Sequence, residues 1–178
     1  MEHFLPTEHY RKPFPIQQFP SPASLCAAVL RNFSRKNLLS SSFSTSAISR
    51  PPEAQFQDEW YRAFYTAVGH GVAISSEWSS DQSGRIDFRV KDPAWGFELL
   101  RDGDRLGQHC DRFLAQGSYG RWIAQGFITD WIILDCRHSA PQKYSETSRY
   151  GNAITKNGEL TVGARCPRNQ TLACDFQR

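Results

Sequence analysis

The alternation of apolar and polar positions between residues 53 and 138 predicts one compact α/β domain. Apolar side chains first recur at helical spacing, then alternate as in half-buried strands, and finally form the short apolar run of a strand buried on both faces. The predicted elements are a helix over 54–68, strands over 72–78, 85–90 and 95–100, a helix ending near 114 and a strand over 131–136. The aromatic side chains expected in the core are Trp60, Phe64, Phe88, Trp95 and Phe97.

Residues 1–52 differ in composition from this domain. Prolines interrupt any early element, no acidic residue occurs between Glu8 and Glu53, and serine dominates from Ser40 to Ser49. One short helix is predicted over residues 24–30. The acid-free composition fits either an organellar transit peptide or a solvated linker. The linker is favoured because the biased stretch begins about 25 residues into the chain.

Residues 139–178 have a weaker pattern. Asn157-Gly158 lies between two strand-like segments and predicts a β-hairpin over residues 153–162. We therefore divide the chain into three parts, which are a Pro/Ser-rich linker or tail with one helix (1–52), a core domain (53–138) and a C-terminal extension with a candidate hairpin (139–178).

The composition excludes several classes of protein. The chain has 178 residues, of which 39% are hydrophobic and 13% aromatic, and this is too apolar for a disordered protein. The net charge of +3 is small, so a DNA-binding patch would have to be local. Apolar runs fall far short of the ~20 residues of a membrane span, and no apolar signal-peptide core is present. The five cysteines lack CxxC spacing, which argues against zinc and for reduced thiols. We expect an intracellular protein, in the nucleus or cytoplasm, without a membrane partner.

Two carboxylates, Asp87 and Glu98, are the strongest candidates for chemistry. Each is predicted on a strand, on the face opposite that strand's apolar side chains, and a short turn joins the two strands. Neighbouring strands would bring the carboxylates within several ångströms of each other, where they repel unless a cation lies between them. Mg²⁺ prefers one or two carboxylates with water and phosphate oxygens. The alternative is a pair of ordinary exposed acids, balanced by Arg85 or Arg89.

The element order and these acids resemble the PD-(D/E)xK restriction-endonuclease-like fold, and more specifically the nuclease-like domain of fungal Crinkler-type, NTPase-associated proteins. The matching stretches, which cover about half of the chain, are PPEAQFQDEWYRAFY (51–65), SEWS (76–79), GRIDFRV (84–90), WGFELLRDGDRL (95–106), QHCDRF (108–113), GSYGRW (117–122) and DWIILDCR (130–137). LCAAVLRNFSRKNL (25–38) resembles the connector that joins an upstream ATPase module in this family, and no phosphate loop precedes it here. The resemblance implies a three-layer core with a mixed central sheet.

When the functional residues of the family are matched to positions of this sequence, the resemblance implies that Asp87 and Glu98 are metal ligands for Mg²⁺ or Mn²⁺. Glu59 matches a position in the first helix where this fold often supplies an additional acid. One departure is serious, because Leu100 occupies the place of the motif lysine, which would help to activate water and stabilise the transition state. We expect Arg105 to supply the displaced cation, with Arg101 and Arg85 as alternatives and Gln108 as a residue that could orient water.

Basic residues on the predicted helix that ends near residue 114 suggest contacts with a nucleic-acid backbone. Arg105, His109 and Arg112 recur at helical spacing and so share one face. With Arg85, they are the candidate phosphate contacts, and the alternative is a solvated polar face. Glu77, on the first strand, is equally a further site acid or a surface acid.

The function implied is a Mg²⁺-dependent endodeoxyribonuclease domain that hydrolyses DNA phosphodiesters without strong sequence preference. The alternative is a non-catalytic nucleic-acid- or protein-binding module on a degraded nuclease fold, acting as an effector or regulatory fragment. Convergence of Glu59, Asp87 and Glu98 with an arginine or glutamine in reach would favour catalysis, and divergence of Asp87 from Glu98 would favour binding alone.

Overall fold

Five helices and four strands make up the described part of the chain, residues 11–39, 53–101 and 105–136 of a computed structural model. In chain order they are α1 (Pro22–Arg31), α2 (Arg35–Leu39), α3 (Glu53–Val68), β1 (Ile74–Trp78), β2 (Ile86–Val90), β3 (Trp95–Arg101), α4 (Leu106–Arg112), α5 (Gly120–Ala124) and β4 (Asp130–Cys136). None of these helices is long and apolar enough to cross a membrane. The predicted hairpin at 153–162, with the rest of the C-terminal extension, lies outside the described residues.

The strands form one mixed sheet in the order β1-β2-β3-β4. The β1–β2 and β2–β3 pairs are antiparallel, whereas β3 and β4 are parallel. A parallel pair needs a crossover connection, and α4 and α5 provide it between β3 and β4. The predicted α/β class, mixed sheet and order of helix, three strands, helix, strand are confirmed, with α5 as an extra turn of helix before the last strand.

Helices cover both faces of the sheet. On one face, α1 and α3 pack against β2, β3 and β4 in a cluster that includes Trp60, Phe64 and Phe97, all fully buried. On the other face, α4, α5 and the segment between them form a second cluster with Trp122, Leu100 and other side chains. The five aromatic side chains predicted for the core are at most 5% exposed, so this prediction is confirmed.

Residues 11–39 of the N-terminal segment pack on the folded domain, which corrects the prediction of a linker or tail (1–52) for this described part of the segment. Helix α1 begins at a capping box, in which Ser21 and Ser24 each bond the other's backbone N–H at 3.1 Å. Leu25 and Val29 on this helix are fully buried against the first cluster. The Lys12 N–H donates to the Gly71 carbonyl at 2.9 Å, so the segment also pairs with the backbone that leads into β1. A proline-rich composition does not prevent burial when a short helix that begins at Pro22, the last proline of residues 11–39, carries an apolar face.

The strand alternation is interrupted in β1 and β2, which corrects the expectation that Ile86, Phe88 and Val90 share a face. Phe88 and Val90 belong to the first cluster, whereas Ile86 belongs to the second. Trp78, the cross-strand partner of Ile86, also packs in the second cluster, while Ile74 packs in the first. The inward side chains of β2 therefore switch from one face of the sheet to the other between Ile86 and Phe88, and those of β1 switch between Ile74 and Trp78. The switch in β1 lies next to Glu77, whose φ of 48° is left-handed.

Candidate functional site around Glu98

Glu98 is a buried carboxylate at the centre of a polar network. It is 1% exposed and lies on β3, on the sheet face covered by α4. Its Oε2 is 2.7 Å from Nδ1 of His109 and accepts a hydrogen bond from Nη1 of Arg112 at 3.2 Å. Its Oε1 is 2.5 Å from the hydroxyl of Tyr119. Three donors therefore compensate the cost of burying this charge.

Helix α4 presents both nitrogen donors. His109 and Arg112 are three residues apart, so their side chains lie on one face of the helix. The predicted face of Arg105, His109 and Arg112 is thus observed for His109 and Arg112 only, because Arg105 precedes the helix as its left-handed N-cap residue. His109 and Arg112 face Glu98 rather than forming a solvated polar face. The His109 side chain is 10% exposed and the Arg112 side chain 35%, so the imidazole lies deeper than the guanidinium.

The segment between α4 and α5 places Tyr119. The Tyr119 N–H donates to the Arg112 carbonyl at 2.8 Å, which turns the chain back towards the helix it has just left. This close return needs glycine, because a Cβ at Gly117 would overlap the backbone of Asp111 and Arg112. The Tyr119 ring then stacks on Trp122, with centroids 4.9 Å apart. Its hydroxyl contacts Glu98 and the Arg85 carbonyl oxygen, and its one proton serves either acceptor.

The environment of Tyr119 keeps its hydroxyl protonated. Burial raises the pKa of this phenol, and the neighbouring Glu98 carboxylate raises the pKa further because a second negative charge beside it is unfavourable. Tyr119 therefore keeps its proton and stays a hydrogen-bond donor, with Glu98 and the Arg85 carbonyl as its two acceptors. Sequence reasoning did not single out this residue. The available signal was an aromatic residue within the tight Gly117–Gly120 segment.

Asp87 lies next to Glu98 in the sheet but has a different partner. The β2–β3 register runs from Val90 and Trp95 to Phe88 and Phe97, so Asp87 and Glu98 occupy the following positions on neighbouring strands. The Asp87 Oδ2 accepts a hydrogen bond from the Leu99 N–H at 2.7 Å. Its carboxylate therefore bonds the backbone of β3, while the Glu98 carboxylate points to α4.

Glu59 is separated from Glu98 by the sheet. It lies on α3, which packs on the first cluster, whereas the partners of Glu98 pack on the second. Its carboxylate accepts from Asn37 Nδ2 at 2.9 Å and from Arg62 Nε at 3.0 Å, and it also accepts the Ser34 N–H. Glu59 is thus tied to the N-terminal helices and does not converge with Asp87 and Glu98, which lie on neighbouring strands.

The other predicted cations are at the surface. The Arg85 side chain is 69% exposed and lies 3.5 Å from Glu77, so Glu77 is a surface acid paired with a neighbouring strand. Arg105 is exposed and immediately precedes α4 as its N-cap residue, with a left-handed φ of 50°. Leu100, in the place of the motif lysine, is 2% exposed in the second cluster and brings no charge to the site.

The residues around Glu98 do not fit a divalent cation. Mg²⁺ takes six oxygen ligands and repels cationic side chains, but the Glu98 oxygens are bonded to an imidazole, a guanidinium and a phenol. Across residues 11–39, 53–101 and 105–136, no group of three or more His, Cys, Asp or Glu side chains is arranged to hold a metal ion.

No family model, no curated protein and no solved structure matches this chain.

Proposed function

We propose that this chain is a non-hydrolysing nucleic-acid-binding domain on a restriction-endonuclease-like core. The support for the core is the order of elements, with two antiparallel pairs followed by a parallel one, and the placement of Asp87 and Glu98 on neighbouring strands. The sequence resemblance points to the same core. In this core Glu59, which matches the place where the fold often has an additional acid, holds the N-terminal helices.

The state of Glu98 is the observation that carries the proposal. A metal ligand needs free carboxylate oxygens that face solvent and substrate, whereas Glu98 is 1% exposed and has a protein donor on each oxygen. The lysine that would assist water is replaced by buried Leu100. The arrangement is that of a buried structural ion pair. It lacks the open coordination positions of a catalytic metal site.

Nucleic acid is the partner that the remaining chemistry favours. Arg112 donates to the Tyr119 hydroxyl, and the backbone carbonyl of Arg85 accepts from that hydroxyl. The Arg112 and Arg85 side chains are 35% and 69% exposed, and the Arg85 guanidinium lies 3.5 Å from Glu77. Exposed arginines bind phosphate through a planar fork of N–H donors. Since the net charge of the whole chain is only +3, this local group would carry the attraction.

The test has a binding arm and a cleavage arm. Fluorescence anisotropy with labelled DNA should show binding that weakens as salt increases, and the salt dependence should fall by about one unit of slope in Arg85→Gln. The same protein should leave supercoiled plasmid intact with Mg²⁺ or Mn²⁺. A matched control is Arg31→Gln, an exposed arginine on α1, which should bind as the wild type does.

A metal-dependent nuclease is the second candidate, because Asp87 and Glu98 do lie on adjacent strands. Nicking that requires Mg²⁺ or Mn²⁺ and disappears in Asp87→Ala would establish this second function and overturn the first. Failure to bind any DNA or RNA, together with no nicking, would overturn both.

A further inference from the structure

Glu98 engages one nitrogen atom of His109 and one of Arg112 and leaves their other side-chain nitrogens unused. Among the described residues, Arg112 bonds through Nη1 alone, to Glu98 and Tyr119, and its Nε and Nη2 have no partner there. His109 uses only Nδ1, and within the same part of the chain its Nε2 has no partner. That atom is not one of the fully buried polar atoms without a bond, so the remaining exposure of the ring includes Nε2.

Glu98 fixes the geometry of these two side chains. One oxygen, Oε2, bonds both side chains, so the imidazole and the guanidinium are anchored to the same atom. Anchoring removes much of the rotamer freedom that an exposed arginine otherwise loses when it binds. The carboxylate is itself 1% exposed, which keeps its charge from direct contact with an incoming anion.

We propose that His109 and Arg112 bind the terminal phosphate of a nucleic acid, with Glu98 and Tyr119 as positioning residues. A protonated imidazole donates from both nitrogens, to Glu98 through Nδ1 and to the phosphate through Nε2. Arg112 supplies a second point of attachment from Nε and Nη2. This inference rests on the proposed function, because it names the part of the nucleic acid that the same site takes.

Access selects the terminal phosphate over an internal one. An internal phosphodiester is flanked by two nucleosides, which keep it away from a side chain only 10% exposed. A phosphate at a strand end is bonded on one side only and can enter beside the imidazole. It also carries a charge of about −1.5 to −2 at neutral pH, against −1 for the diester, and so matches two cationic donors.

The experiment compares oligonucleotides of one sequence that carry a 5′-phosphate, a 3′-phosphate or hydroxyl groups at both ends. Anisotropy titration of the full chain should give about tenfold tighter binding for a phosphorylated end. His109→Gln and Arg112→Lys should each reduce this preference to about twofold or less, because Gln cannot supply a charged donor and Lys keeps the charge but loses the fork. Arg31→Gln should retain the full preference. Circular dichroism of each variant checks that it is folded.

The outcomes separate the two proposals. Equal affinity of the wild type for phosphorylated and hydroxyl-ended strands overturns the terminal-phosphate site and leaves nucleic-acid binding standing. Binding of inorganic phosphate as tight as that of the phosphorylated strand, measured by calorimetry, assigns the site to free phosphate and overturns the nucleic-acid part. No binding of any oligonucleotide overturns both.

Discussion

Glu98 links three polar side chains on the second face of the sheet. It places a negative charge in a region otherwise filled by Leu100, Trp122 and their neighbours. The cost of burying that charge is offset by His109, Arg112 and Tyr119 together, so removing the charge changes the environment of all three.

Glu98→Gln should therefore destabilise the protein by about 1.5–3 kcal/mol, the usual contribution of hydrogen bonds to charged groups. The amide keeps the size of the side chain but directs an NH₂ group at one set of donors. Urea unfolding followed by tryptophan fluorescence measures the change in free energy of unfolding.

The control for this variant is Glu77→Gln, which removes a carboxylate that is 51% exposed and paired with Arg85 at 3.5 Å. Exposed pairs contribute ~0–1 kcal/mol, so its effect should be small. Equal effects of the two substitutions would mean that the Glu98 network adds nothing to stability.

At the level of single residues, the sequence located part of this site. Asp87 and Glu98 were predicted on adjacent strands, and His109 and Arg112 on one helix face, because both patterns follow from local periodicity. Tyr119 was not predicted, since its place depends on a turn that brings the chain back to the Arg112 carbonyl. Glu59 was expected with the other acids, but the partner that holds it comes from a segment more than twenty residues earlier.

Among the elements, α2 and the residues just before it contact α3 through polar bonds, beside the buried side chain of Leu38. Glu59 accepts from Asn37 and the Ser34 backbone, and Arg62 donates to the Asn32 carbonyl as well as to Glu59. Burial by itself would raise the pKa of Glu59, but the hydrogen bonds from Arg62, Asn37 and Ser34 outweigh it and the pKa is lowered from 4.5.

This lowered pKa predicts an acid-dependent loss of stability. Below 4.5 the unfolded chain takes up a proton at Glu59 more readily than the folded chain does, so folding becomes less favourable as pH falls towards the folded pKa. Glu59→Gln should be less stable at about pH 7 and should lose less on acidification to about pH 4. Urea unfolding at both pH values measures the difference.

Asp58→Asn provides the comparison, because Asp58 is the exposed preceding residue on the same helix. It should keep the wild-type dependence on pH. A parallel decline in the Glu59 variant and the wild type would show that the bonds to α2 do not contribute to folding.

The paths of β1 and β2 show where element prediction fails. Residue-by-residue alternation assumes an unbroken strand, and it placed Ile86 with Phe88. The left-handed backbone at Glu77 interrupts that alternation, and no glycine marks the position in the sequence. The boundaries and order of the strands were predictable because turns at Gly84 and Asp92-Pro93 bracket them.

In the whole molecule, the N-terminal segment and the sheet share one core. Leu25, Leu30 and Phe33 lie in the same cluster as the α3 aromatics and the β4 side chains. Composition alone suggested a linker, because proline and serine content says nothing about the few apolar side chains of α1. Their burial depends on a surface that only the folded sheet and α3 create.

Leu25→Ala should therefore destabilise the whole domain by about 2–5 kcal/mol, since it leaves a cavity at a fully buried site. Unfolding should remain a single transition when followed by tryptophan fluorescence and by circular dichroism. Ile16→Ala, at a position 45% exposed, should change stability by at most about 0.5 kcal/mol. An unchanged unfolding midpoint in Leu25→Ala would restore the view of this segment as a tail.

The left-handed residue in β1 also bears on self-assembly. Within the described residues β1 is an outer strand of the sheet, and a long flat outer strand recruits strands from other molecules through its free N–H and C=O groups. The turn at Glu77 shortens the straight part of β1 to about three residues and places a charged side chain at its end. The same local twist that directs Trp78 inward thus makes this edge a poor template for fibril growth.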